Sequence, residues 1–76
     1  MLKNLPKLRA TAAAKERVKR NMYLKTDMIV DWCRRRLNRE ETAVTKKGKN
    51  YYAVAAGCTI TINADTFTII TAHPHR

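Results

Sequence analysis

Three consecutive arginines, Arg34, Arg35 and Arg36, form a cationic run in the sequence. On a helical wheel Asp31 lies one turn before Arg35 and beside Arg34, so the pattern predicts ion pairs that partly neutralise both. Arg36 falls within the apolar arc, next to Trp32. Its guanidinium could stack on the indole with its stem buried, or be aimed at a phosphate or carboxylate, and the two roles are compatible.

A second group of cations, Lys46, Lys47 and Lys49, surrounds a glycine and is followed by Tyr51 and Tyr52. Lysines on a turn beside aromatic side chains suit a phosphate backbone with bases stacked nearby. The alternative is a solvated turn with one tyrosine in the core. Consecutive strand residues face opposite ways, so only one tyrosine can be an exposed stacking surface.

The sequence has two histidines, His73 and His75. Two terminal histidines are too few ligands for a metal ion, so no metal site is expected. Cleavage of RNA through its 2′-hydroxyl needs a base, an acid and a cation near the phosphate. His73 could be one acid or base, with Arg36 or a lysine as the cation. The second acid or base would be Tyr51, Tyr52, His75 or a carboxylate. His73 and Tyr52 are the candidate catalytic residues.

Other reactive arrangements are missing from the sequence. There is no serine, and two glycines cannot form a glycine-rich phosphate loop, so no cofactor is expected. Cys33 and Cys58 match no zinc or redox spacing and have apolar neighbours, which predicts two buried free thiols in a cytoplasmic protein. No apolar run is long enough to span a bilayer, and no membrane role is expected.

The charge is large and unevenly distributed. Sixteen Lys and Arg against six Asp and Glu give a net charge of +10. Residues 1–39 hold 12 basic and 3 acidic side chains, and residues 40–76 hold 4 and 3, so the first half carries +9 of the +10. Such asymmetry attracts phosphate polymers and speeds encounter with them.

The first half of the chain shows helical periodicity. Residues 1–10 are predicted to be a basic arm, and residues 11–76 a single domain. Thr11 is predicted to cap a helix that ends near Asn21, and Thr26 to cap a second helix that stops at Asn38.

From Glu41 the period changes from about four to two. Strands are expected over 41–46, 51–55, 58–63 and 67–72, joined by short turns. The predicted fold class is α+β, with two N-terminal helices packed on one face of a four-stranded antiparallel meander and a threonine-rich face left open to solvent.

Several segments resemble a small uncharacterised bacterial family of unknown function. They are residues 16–21, 30–33, 48–52, 60–64 and 68–73, and the last two form the most specific motif. The order of elements is also similar, more distantly, to barnase-, colicin- and RelE-like ribonucleases and toxins. That likeness implies RNA as a substrate, but a fold alone does not define an activity.

Three functional hypotheses follow from these patterns. The favoured one is a nucleic-acid-binding module for RNA or DNA without catalysis. The others are a ribonuclease-like toxin, and a small inhibitor or accessory protein, such as a phage-encoded anti-CRISPR protein, that docks on an acidic protein surface or a nucleoprotein complex. The candidate partner-binding residues are Lys15, Lys19, Arg20, Arg34, Arg35, Arg36, Lys46, Lys47 and Lys49.

Overall fold

The computed structural model describes residues 7–39, 42–55 and 57–74, which form two helices and a five-stranded sheet. The predicted α+β class is confirmed. In chain order the elements are β1 (Arg9–Ala10), α1 (Ala12–Asn21), α2 (Ile29–Leu37), β2 (Ala43–Lys47), β3 (Asn50–Ala55), β4 (Cys58–Asn63) and β5 (Thr68–Pro74).

The sheet differs from the predicted four-stranded antiparallel meander. Its strand order is β1-β5-β4-β3-β2, and β1 runs parallel to β5 while the other pairs are antiparallel. The sequence prediction missed β1 because a two-residue strand shows no alternation. Its pairing depends instead on a segment almost sixty positions away, where Arg9 is opposite Thr68 and Ala10 opposite Ile69.

The beginning of β1 is fixed to the rest of the molecule at two points. The backbone N–H of Arg9 donates to the carbonyl of Phe67 at 3.2 Å. Leu8 is only 5% exposed and belongs to the hydrophobic core. Residues 7–10, which the sequence assigned to the arm, therefore contribute a strand and a core side chain, and residues 1–6 lie outside the described residues.

The helix α1 begins as predicted, with Thr11 accepting a hydrogen bond from the Ala14 backbone N–H at 3.1 Å. After its last residue the Leu24 N–H donates to the Lys19 carbonyl at 3.0 Å, and the Tyr23 N–H to the Arg20 carbonyl at 3.4 Å. These bonds form the Schellman motif that ends many helices. Tyr23 occupies its left-handed position, with φ +54°, although glycine is usual there.

The helix α2 starts later than predicted. Met28 precedes its first residue and has no side-chain cap, while the Thr26 hydroxyl accepts the Met28 N–H at 3.1 Å, before the helix begins. Thr26 therefore orders the approach to α2 but does not cap it. The helical period predicts a buried stripe of Ile29, Val30, Cys33 and Leu37; in the structure Ile29, Cys33 and Leu37 are buried, and Val30 is half-buried against the core.

The helices cover one face of the sheet, with α1 against β5 and α2 against β3. The strand residues on that face are buried, among them Ala53, Ile60, Ile62 and Ala72. Between β4 and β5 the register shifts, and Ile70 is the extra residue in β5. No helix in the described part of the chain is long and apolar enough to cross a membrane.

Candidate nucleic-acid interface

The face of the sheet opposite the helices is formed by the residues that alternate with the buried ones, arranged in three rows across the strands. The middle row is Thr45, Tyr52, Thr61 and Thr71, the second is Ala43, Val54, Thr59 and His73, and the third is Lys47, Asn50 and Asn63, continuing to Thr68 and Arg9. We call this surface the open face. None of these residues carries a carboxylate, so it offers hydroxyls, amides and cations without negative charge.

The two adjacent tyrosines separate as the strand alternation predicted. Tyr51 packs against the core, with its ring edge-on to Phe67 at a centroid distance of 6.2 Å and an interplanar angle of 75°. Tyr52 lies on the open face, directly across from Thr45 and Thr61. It is half-buried, so its ring position is restrained while part of its surface stays accessible.

Cations border the open face on two sides. Lys47 lies on the edge strand β2 and Arg9 on β1, and both are exposed. Lys46 is paired with Tyr51 and therefore belongs to the helix-covered side, and Lys49 lies in the turn that follows β2. The structure thus separates the three hairpin lysines and leaves Lys47 on the open face.

The two catalytic candidates, His73 and Tyr52, share the open face but lie apart. Tyr52 is on β3 and His73 on β5, two strands away and two residues further along, which corresponds to about 12 Å between their Cα atoms. The two side chains therefore do not form a hydrogen-bonded acid–base pair. Tyr51 is partly buried against the core, and His75 lies outside the described residues.

Arg36 is stacked on Trp32, with its guanidinium carbon 4.9 Å from the ring centroid, which is the first of the two roles that its position next to Trp32 allowed. It lies close enough to Cys58 for its charge to oppose the rise in that thiol's pKa caused by burial. Cys58 pairs with Ala55, about 17 Å along β3 from Asn50 and the lysine turn. Arg36 and the lysines therefore mark opposite ends of the sheet and do not form one site.

Three cations on the helix side, Lys19, Arg34 and Arg35, are engaged with carboxylates. Asp31 contacts Arg34 at 3.3 Å and Arg35 at 3.2 Å, which agrees with the predicted local neutralisation. Lys19 bonds to Asp27 at 2.6 Å; this hydrogen bond lowers the pKa of Asp27 and raises that of Lys19.

Lys15 and Arg20, the other predicted cations of this side, are exposed on α1. Lys15 lines a cleft of about 300 Å³ beside α2, together with Arg34 and the carboxylates of Asp27 and Asp31. The mixed charge of this cleft makes it a poorer phosphate site than the open face.

One edge of the sheet is sealed by side chains that the sequence did not mark. Only the first two residues of β5 are paired with β1. Along the rest of β5 the helix α1 covers the edge, where Arg17 donates to the Ile70 carbonyl at 3.3 Å and Asn21 to the Ala72 carbonyl at 3.2 Å. Arg17 and Asn21 are one helical turn apart, and the two carbonyls are two strand residues apart; these two distances are nearly equal, so both bonds can form at once. The sequence shows the spacing of the two donors but does not show which carbonyls they meet.

A cavity of about 400 Å³ lies beside the β4–β5 turn, at the end of the third row of the open face. Its lining residues are Lys7, Arg9, Ala64, Asp65, Thr66 and Phe67. The sequence did not predict this site, because Lys7 and Arg9 were assigned to the arm and the segment between the last two strands only to a short turn.

The two cysteines are free and buried, as predicted. Burial raises the pKa of Cys33 to about 12 and also raises the pKa of Cys58. Both thiols are therefore protonated at neutral pH and pack as small apolar side chains rather than acting as nucleophiles.

The molecule is thus a strongly basic α+β protein, and within its described residues the sheet face opposite the helices carries no carboxylate. The chain belongs to the DUF3781 family of proteins of unknown function, whose model matches residues 2–73. This confirms the expected membership of a family of unknown function. No curated protein and no solved structure matches the chain.

Proposed function

We propose that the protein binds single-stranded nucleic acid across the open face of its sheet. The observation that carries this proposal is the placement of Tyr52 within a carboxylate-free face that has Arg9 at one edge and Lys47 at the other. Aromatic side chains on such a surface stack bases, while flanking cations bind phosphates.

Each part of the face has a chemical role in this proposal. The Tyr52 ring stacks one base, the exposed Thr45 hydroxyl and the Asn50 amide hydrogen-bond to base edges, and Lys47 and Arg9 hold the backbone. Unpaired bases are required because bases within a duplex are stacked on each other and cannot reach a flat sheet. The face therefore favours a single strand over a duplex.

The overall charge supports the same function. Residues 12–39 hold nine cations and three carboxylates, a net +6, while the other described residues hold five cations and one carboxylate, a net +4. Lys7 and Arg9 belong spatially to the sheet, so the sheet is more basic than the second half of the sequence indicated. The whole molecule attracts a polyanion, and the open face provides the contacts.

The proposal is tested with fluorescently labelled single-stranded oligonucleotides in anisotropy titrations at two salt concentrations. Tyr52→Ala should weaken binding by roughly 5- to 150-fold, the equivalent of about 1–3 kcal/mol of lost stacking. Tyr52→Phe should keep most of the affinity. Lys47→Ala should reduce the slope of log K against log salt by about 0.7, as expected for one lost contact to a single strand.

Tyr23→Ala is the matched control, because Tyr23 is 88% exposed but lies after α1, away from the open face. Equal effects of Tyr52→Ala and Tyr23→Ala would contradict the proposed surface. Absence of binding at low salt would overturn the function itself and favour docking on an acidic protein surface.

A ribonuclease activity is a second candidate because His73 lies on the same face as Tyr52. Product analysis on the RNA titration samples tests it. Cleavage that disappears in His73→Ala, with binding unchanged, would support it. Intact RNA after prolonged incubation would leave binding alone as the function.

A further inference from the structure

The cavity beside the β4–β5 turn adds chemistry that the open face lacks. We propose that it is a ribonucleotide site, in which Lys7 and Arg9 bind a phosphate and the Asp65 carboxylate accepts a hydrogen bond from the ribose 2′-hydroxyl. The protein would then select RNA over DNA. This inference rests on the proposed function and specifies its substrate class.

The size and lining of the cavity fit this ligand. Its volume of about 400 Å³ lies within the range of small-molecule sites. It combines two cations, a carboxylate and a hydroxyl, whereas the rows of the open face contain no carboxylate. The cations suit a phosphate, and the acceptor-only carboxylate suits a hydroxyl donor.

The walls of the cavity are held in place by the fold. The Asn63 side-chain oxygen accepts the backbone N–H groups of Asp65 at 2.9 Å and Thr66 at 3.0 Å, which orders the turn. The Thr66 and Thr68 hydroxyls lie 2.8 Å apart. On the other side, the backbone bond from Arg9 to Phe67 ties β1 to the same turn, so cations and carboxylate face one space.

Phe67, which also lines the cavity, has a left-handed backbone with φ +57° although it is not glycine. Such strain persists only where surrounding contacts enforce it, and it is found preferentially at functional sites. Here the buried ring on Tyr51 and the carbonyl bonded to Arg9 hold the conformation.

Asp65 decides between RNA and DNA in this arrangement. Its backbone is bonded to Asn63, but no described residue forms a hydrogen bond or ion pair with its carboxylate. Next to a phosphate a carboxylate repels, unless the ligand offers it a proton donor. The 2′-hydroxyl of RNA is such a donor, and DNA lacks it.

The test compares RNA, DNA and 2′-O-methyl RNA oligonucleotides of one sequence, because the methylated sugar keeps an oxygen but has no donor. RNA should bind roughly tenfold or more tightly than the other two, the usual effect of a hydrogen bond to a charged group. Asp65→Asn should raise the affinity for DNA and keep that for RNA. Lys7→Ala and Arg9→Ala should weaken RNA and DNA binding by similar factors.

Asp27→Asn is the control, since Asp27 is an exposed carboxylate on the helix side, and its ratio of RNA to DNA affinity should equal that of the wild type. Equal wild-type affinities for RNA and DNA would overturn the ribonucleotide site and leave single-strand binding intact. An unchanged ratio in Asp65→Asn and Asp65→Ala would also overturn it. Absence of binding to any oligonucleotide would overturn both proposals.

Discussion

Replacing Tyr23 with glycine should stabilise the folded protein, although the change removes an aromatic side chain. Tyr23 has φ +54° in the Schellman motif after α1, a conformation that costs a residue with a Cβ atom about 1–2 kcal/mol. Its side chain is 88% exposed, so truncation removes little buried surface. Glycine relieves the steric cost but loses about 0.5–1 kcal/mol of additional chain entropy on folding.

The balance of these terms is a gain of about 0.5–1 kcal/mol in the free energy of unfolding, equivalent to a rise in Tm of about 2–8 °C for a domain of this size. Thermal and urea denaturation followed by circular dichroism would measure it. Tyr23→Ala is the matched control, because alanine keeps the Cβ atom and should bring no gain.

Phe67→Gly provides the opposite case. Phe67 has almost the same φ, +57°, but is only 7% exposed and packs on Tyr51. Losing a buried phenylalanine costs about 3–5 kcal/mol, more than the relief of strain returns. If Tyr23→Gly were no more stable than Tyr23→Ala, the left-handed conformation of Tyr23 would not be a source of strain, and the prediction would be wrong.

Two further substitutions test the helix side of the molecule. Arg36→Ala should lower the free energy of unfolding by more than about 1 kcal/mol, because it removes the side chain that packs on Trp32. The affinity for oligonucleotides should stay nearly unchanged. A large loss of affinity without destabilisation would instead make Arg36 a binding residue. Lys19→Met should raise the pKa of Asp27, measured by NMR titration, because Lys19 holds it below its ordinary value of 3.8. Because the pKa of Asp27 is lowered in the folded state, the ion pair stabilises the protein above pH 3.8, and this stabilisation is lost as the pH falls through the folded-state pKa. An Asp27 that titrates identically in the wild type and in Lys19→Met would contradict the ion pair.

The parts of the fold that the sequence predicted are those set by neighbouring residues. The Thr11 cap depends on a hydroxyl and an N–H three residues away, and β4 follows from strict alternation between Cys58 and Asn63. The parallel strand β1 depends on Thr68 and Ile69, which no local pattern connects with Arg9. Long-range pairing of a very short segment leaves no periodic signal in a sequence.

The same division applies to the candidate site. Alternation separated Tyr51 from Tyr52, and the helical wheel placed Arg36 next to Trp32. The register of the paired strands decides which cations share a surface. Within a six-residue strand, a change of register can move two charged side chains from adjacent positions to opposite ends of the sheet. Arg9 could therefore be recognised as a neighbour of the Asn63 turn only after β1 and β5 were paired.

The seal that Arg17 and Asn21 place on β5 has a consequence for self-association. Edge-to-edge growth of a sheet into a fibre requires two available edges on every copy. In the described residues one edge ends in the two-residue β1 and the capped carbonyls of β5, which leaves β2 as the accessible edge. Pairing through β2 would close after two copies, because the partner's opposite edge is not available, so the geometry limits such association to a dimer and opposes the polymer.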